Sequence, residues 1–171
     1  MATTQPEEIL LPAKPLFILV TLLAALLINL LPWAGFSMWF KPDFVALTLT
    51  YWCIHQPRRV GFSVAWILGL MMDVAHGNLF GQYALAYCVL AFTAITLHRR
   101  VLMFSIYHQV LHVVPLLLVT QVLILLVQLA TGAALPGLQY FLGSLVGGLL
   151  WPPLAVLLEL PQRLKTHADR V

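Results

Sequence analysis

The chain has 171 residues, 61% of them hydrophobic and 9% charged, with a mean hydropathy of +0.94. Water-soluble domains carry about 25% charged residues, so this composition cannot cover a water-soluble surface and belongs to a membrane protein. Apolar runs consume nearly the whole length and leave no soluble domain of useful size. The net charge of +3 therefore reads by position, as a topology signal, and not as a nucleic-acid footprint.

Residues 1–14 form a polar tail with Pro6 and Pro12. Glu7 and Glu8 stand where a signal peptide would be basic, and the next apolar run ends in Pro32-Trp33-Ala34-Gly35, a poor cleavage site. The run is expected to stay in place as the first transmembrane helix. Pro15 suits its first turn, and only Thr21 and Asn29 interrupt it before Leu31. Trp33, Phe36, Trp39 and Phe40 then read as an interfacial aromatic belt. A second helix is expected from Asp43 to His55 and a third from Val60 to His76, joined by Pro57-Arg58-Arg59. After the turn Gly77-Asn78-Leu79-Phe80-Gly81, where glycine supplies positive φ, a fourth helix should run from Phe80 to His98. The fifth should span Tyr107 to Thr131, kinked at Pro115, with Gln121 and Gln128 able to bond across helices. The sixth should run from Gln139 to Leu160, with Pro152 and Pro153 expected to break or kink it. Its Gly143 and Gly147 make a GxxxG pair suited to close internal packing, as Gly69 suits the third helix. The expected layout is an all-α integral membrane protein with six transmembrane helices in residues 15–161, between a 1–14 tail and a 162–171 tail.

With six spans, one side receives Lys14, Arg58, Arg59, Arg99, Arg100, Arg163, Lys165 and Arg170, and the other only Lys41. Both termini are therefore expected on the cytoplasmic side of the membrane.

Two acids stand out. Asp43 lies 15 positions before Arg58 and Asp73 lies 14 after Arg59. At ~1.5 Å per residue both carboxylates sit roughly 21–22 Å from the double-arginine turn, at similar depth in the outer third of the membrane. A charge at that depth is costly unless paired, hydrated or neutralised. Asp43, after Pro42, has an ordinary explanation as a helix N-cap. Asp73 falls late in its helix, against the dipole, and needs a partner: His76 on the same face, Lys41, Asn78, a neighbouring helix or water. Asp43, Asp73 and His76 are therefore the candidate ligand or partner contacts, and Pro42, Gly69, Gly77, Gly81, Gly143 and Gly147 the candidate structural positions.

Other chemistry finds no foothold. The chain has no Walker lysine loop, GxSxG, HExxH or CxxC. Gly69-Leu70-Met71-Met72-Asp73 does not match the GxGD of intramembrane aspartyl proteases. His108 and His112 are spaced i, i+4, but Gln109 stands where a zinc protease has Glu and no third ligand is evident, so no metal and no cofactor are expected. Cys53 and Cys88 lie in apolar runs and read as packing.

Pro42-Asp43 opening a helix that ends near Tyr51-Trp52 and Pro57, then Gly61, Gly69, Asp73 and Gly77 to Gly81, resembles the bacterial MreD family of rod shape-determining proteins. The resemblance extends over essentially the whole chain. It implies a fold similar to the substrate-binding subunits of energy-coupling-factor transporters, and a non-enzymatic subunit of the cell-elongation complex in the bacterial cytoplasmic (inner) membrane. Such a subunit would support MreC and peptidoglycan synthesis to maintain rod shape. The implied partners are MreC, and indirectly RodA with its transpeptidase partner, and MreB, alongside membrane lipid; no nucleic acid is implied. The alternative is a small-molecule or lipid-binding subunit with an outward-facing site near Asp43 and Asp73.

Overall fold

The computed structural model describes residues 14–31, 41–77, 81–132 and 137–168, with the side chains of 138, 139 and 163–168 left out. The aromatic belt at 33–40, Asn78 and the last residues of the C-terminal tail lie outside the described residues. Among those described the chain is all-helical: α1 (Pro15–Leu30), α2 (Phe44–His55), α3 (Phe62–His76), α4 (Gln82–Leu102), α5 (Ile106–Ala130) and α6 (Leu142–Ala168), with a 3₁₀ turn at Leu138–Phe141. By length and composition α4, α5 and Leu142–Gln162 of α6 can each cross a membrane, while α1, α2 and α3 are shorter apolar helices.

The helix that orders the others is α2. Its sequence is apolar all round, and such a helix must be enclosed. Every residue from Val45 to Ile54 is buried, and α2 touches α1, α4, α5 and α6. The remaining helices form antiparallel neighbours in chain order, α3 on α4, α4 on α5 and α5 on α6.

Lone polar residues in the apolar runs are the tethers between helices. In α1, the hydroxyl of Thr21 accepts a hydrogen bond from Trp52 Nε1 at 2.9 Å, and Asn29 Nδ2 donates to Asp43 Oδ1 at 2.8 Å. In α5, Gln109 Oε1 accepts from Trp151 Nε1 at 3.2 Å, and Gln121 Oε1 accepts from the Ser144 hydroxyl. Gln128 makes no such cross-helix bond among the described residues. At the far end of α2 from Asp43, His55 Nε2 lies 3.8 Å from Glu159 Oε1. A polar group buried in an apolar bundle is stabilising only when bonded, so each of these positions fixes how its helix is rotated.

Glycines set the closest approaches. A Cβ on Gly69 would lie 2.3 Å from Ala84 Cα, so α3 and α4 meet backbone to backbone. A Cβ on Gly143 would meet the Lys41 carbonyl at 2.7 Å, and one on Gly147 would meet Leu117 Cδ1 at 3.0 Å. The GxxxG of α6 is thus filled from within the chain.

Two boundaries differ from the sequence expectation. Arg99 and Arg100 do not end α4; they occupy its last turn, where cations favour the C-terminal dipole, and the helix continues to Leu102. α6 is not broken at Pro152-Pro153 but runs through them and Pro161 to Ala168. Proline costs a helical hydrogen bond. A packed apolar setting favours helix over any alternative that exposes more backbone, and the buried Trp151, bonded to Gln109, holds the chain in place just before the prolines.

Candidate functional site

Asp43 and Asp73 are each bound to α4, one turn apart. α4 opens at Gly81-Gln82, so it begins without a side-chain cap of its own. The first amides of a helix have no intrahelical acceptors. Asp73 supplies them from α3: Oδ2 accepts from Gly81 N at 2.9 Å and Ala84 N at 3.3 Å, and Oδ1 accepts from Tyr83 N at 2.8 Å. The carboxylate is fully buried and faces the positive end of the α4 dipole, which offsets the unfavourable end of its own helix. The approach needs Gly69 one turn earlier, and positive φ at Gly77 (62°) and Gly81 (103°) to reverse the chain between the two helices.

Asp43 caps α2, accepting from Ala46 N at 3.0 Å through Oδ1, the oxygen that also accepts from Asn29. Oδ2 accepts from the Tyr87 hydroxyl at 2.7 Å. Asn29 completes the cap in reverse, its Oδ1 accepting from Phe44 N at 3.2 Å and its backbone carbonyl accepting from Lys41 Nζ at 2.6 Å. Burial lowers the Lys41 ammonium from its ordinary value, an effect that Asp43 opposes. Four helix ends therefore converge here: the end of α1 and the start of α2 through Asn29 and Asp43, and the end of α3 and the start of α4 through Asp73. The rings of Tyr83 and Tyr87, with centroids 5.8 Å apart, join the two halves.

His76 is not the partner of Asp73. Its Nδ1 lies 2.9 Å from the Met72 carbonyl, and its ring stacks on Tyr83 with centroids 5.2 Å apart. The residue is exposed at the edge of the network. On the other side, Asp43 lines a cavity of about 20 Å³ with Thr120, Gln121, Gly143 and Ser144, room for a single water molecule. The His108/His112 pair is divided: the Ser105 hydroxyl lies 2.7 Å from His108 Nδ1, while His112 stacks on Phe104.

Sequence reasoning placed both acids at one level but missed Asn29 and Tyr87. The available signals were the lone Asn in an apolar run and the capless start of α4. Replacing Tyr87 by Phe should leave one Asp43 oxygen without its donor. A hydrogen bond to a charged group contributes about 1.5–3 kcal/mol, and the loss should appear as a lowered thermal midpoint of the purified chain with helix content unchanged.

No solved structure matches the chain. It is 30% identical over 145 residues to the rod shape-determining protein MreD of Haemophilus influenzae, which covers 84% of this chain and 89% of that protein. The model of the rod shape-determining protein MreD family matches residues 13–160, from just before α1 to the sixth helix and including every residue of the Asp43–Asp73 network. The chain belongs to the MreD family.

Proposed function

We propose that this chain is a non-enzymatic membrane subunit of the bacterial cell-elongation machinery, supporting MreC and peptidoglycan synthesis to maintain rod shape. The observation that carries this reading beyond the family match is the use made of the two acids. Asp73 is wholly engaged with the start of α4, and Asp43 with Asn29, Ala46 and Tyr87. These are the bonds of a frame that holds helix ends in register. The cavity that Asp43 lines among the described residues, about 20 Å³, has room for a water and not for a small molecule, whose sites run to ~300–1,000 Å³. In this reading His76, exposed beside the frame, is the member of the trio that faces a partner.

All six helices cross the inner membrane in this reading, with both termini cytoplasmic, in an arrangement resembling the substrate-binding subunits of energy-coupling-factor transporters. The short helices α2 and α3 are supported as spans by the arginines between them and by the burial of α2 inside the bundle. The partners are MreC directly, and through it RodA with its transpeptidase and MreB. The test is replacement in a rod-shaped bacterium depleted of its own MreD. Expression of this chain should restore rods, and tagged chain should retain MreC through purification from membranes. Round cells with normal amounts of the chain in the membrane, and no MreC retained, would refute the proposal. Reporters fused after Arg59 and Arg100 should read cytoplasmic and one at Gly77 external; the reverse defeats the six-span arrangement.

A further inference from the structure

α3 has two faces. Ala65, Leu68, Gly69, Met72 and Asp73 are buried, and Gly69 and Asp73 meet α4 directly. The opposite face presents Phe62, Trp66, Ile67, Met71 and Val74, all exposed and at helical spacing. This stripe is bounded on one side by the exposed pair Arg58-Arg59 and on the other by the exposed His76. α3 has 15 residues, about 21–22 Å at ~1.5 Å per residue, against about 30 Å for a bilayer core. α5, with 25 residues, reaches about 37 Å by the same rule. Any tilt of α3 shortens its reach further. The polar groups at its two ends cannot move apart, because Asp73 fixes one end to α4 and the turn fixes the other to the buried α2.

We propose that the α3 face thins the bilayer beside it, its occupant being phospholipid drawn in at the cytoplasmic side by Arg58 and Arg59. The inference rests on the reading of α3 as a transmembrane helix. A stripe too short for the core is met by compressing the adjoining lipid. The arginines complement anionic headgroup phosphates and hold them at the level where the stripe ends. The taller α4–α6 side needs no such thinning, so the effect is one-sided and falls along α3 and the 16-residue α1 that it touches.

Trp66 is a built-in reporter. Trp52 and Trp151 are fully buried, so a Trp33→Phe/Trp39→Phe chain leaves Trp66 as the tryptophan open to lipid. This chain is reconstituted in dioleoyl phosphatidylcholine and phosphatidylglycerol, with a minor share of dibrominated phosphatidylcholine carrying myristoleoyl, oleoyl or erucoyl chains. A further Trp66→Phe change supplies the background. Quenching by the myristoleoyl lipid should exceed that by the erucoyl lipid about twofold. Equal quenching by all three lipids, or stronger quenching by the erucoyl lipid, overturns the proposal while leaving α3 in the membrane. No quenching by any of them overturns both the proposal and the membrane placement of α3. The unsubstituted chain provides a second readout: its thermal midpoint should be higher in myristoleoyl than in erucoyl bilayers, and the opposite order refutes the thinning.

Discussion

Replacing Asp73 by Ala should destabilise this protein more than any other single change at a polar position. It removes one side chain and orphans three backbone amides, those of Gly81, Tyr83 and Ala84. Each buried donor left unsatisfied costs about 1–3 kcal/mol. Even with relaxation the total should be at least about 3 kcal/mol, which for a chain of this size is a fall in thermal midpoint of about 6–12 °C. Asp73→Asn should fall between the two. Its amide oxygen can serve the amides on one side, but its NH₂ group then faces a donor where Oδ1 or Oδ2 accepted, and the charge that matched the α4 dipole is gone. Thermal unfolding of the purified chain in detergent, with folded yield from membranes as a second measure, checks the order wild type, Asn, Ala. Ala behaving as wild type would mean that α4 starts without Asp73.

Gly69→Val should come close to the same loss by a different route. The new Cβ alone would sit 2.3 Å from Ala84 Cα and 2.5 Å from Ala84 N. Both are backbone atoms, so no rotamer change relieves the clash and α3 must move away from α4. Overpacking typically costs about 1–3 kcal/mol where side chains can yield; here the same movement also stretches the bonds from Asp73 to Tyr83 and Ala84. The effect should therefore exceed that range and should not add to Asp73→Ala in the double variant, because both act on one contact. A Gly148→Ala change is the comparison: its Cβ would lie 2.1 Å from Val114 Cγ2, the end of a side chain that can turn away. It should cost less than Gly69→Val in the same unfolding measurement.

Much of this arrangement is legible in the sequence, and the part that is not has a definite reason. Periodic apolar length located the six helices, and the paired arginines located two of the turns. Depth arithmetic from those turns put Asp43 and Asp73 at one level, and α4 indeed binds both within one turn. A neighbouring helix was among the partners open to Asp73, but the residues around Asp73 do not say which helix or why. The relevant need belonged to α4, whose opening Gly81-Gln82-Tyr83 offers no capping side chain and so requires one from elsewhere. His76, three positions away on the same helix, was the nearer suggestion, but its ring turns to Tyr83 instead. Asn29 was visible only as an interruption; that its amide serves Asp43 while its carbonyls serve Phe44 and Lys41 depends on how α1 lies against α2. Local rules left Pro152 and Pro153 free either to break or to kink their helix, and the break does not occur, since they count the lost hydrogen bonds but not the packing around Trp151 and α6.

The reading turns on whether the two carboxylates hold the fold or meet something outside it. Given the MreC association proposed above, the most direct measurement is the amount of MreC retained per mole of folded chain, compared across wild type, Asp43→Asn and Asp73→Asn. If the acids act as a frame, the variants will yield less folded protein, but each folded molecule will retain as much MreC as wild type. Normal folded yield with MreC retention lost in either variant would contradict the account and make that carboxylate a contact in its own right.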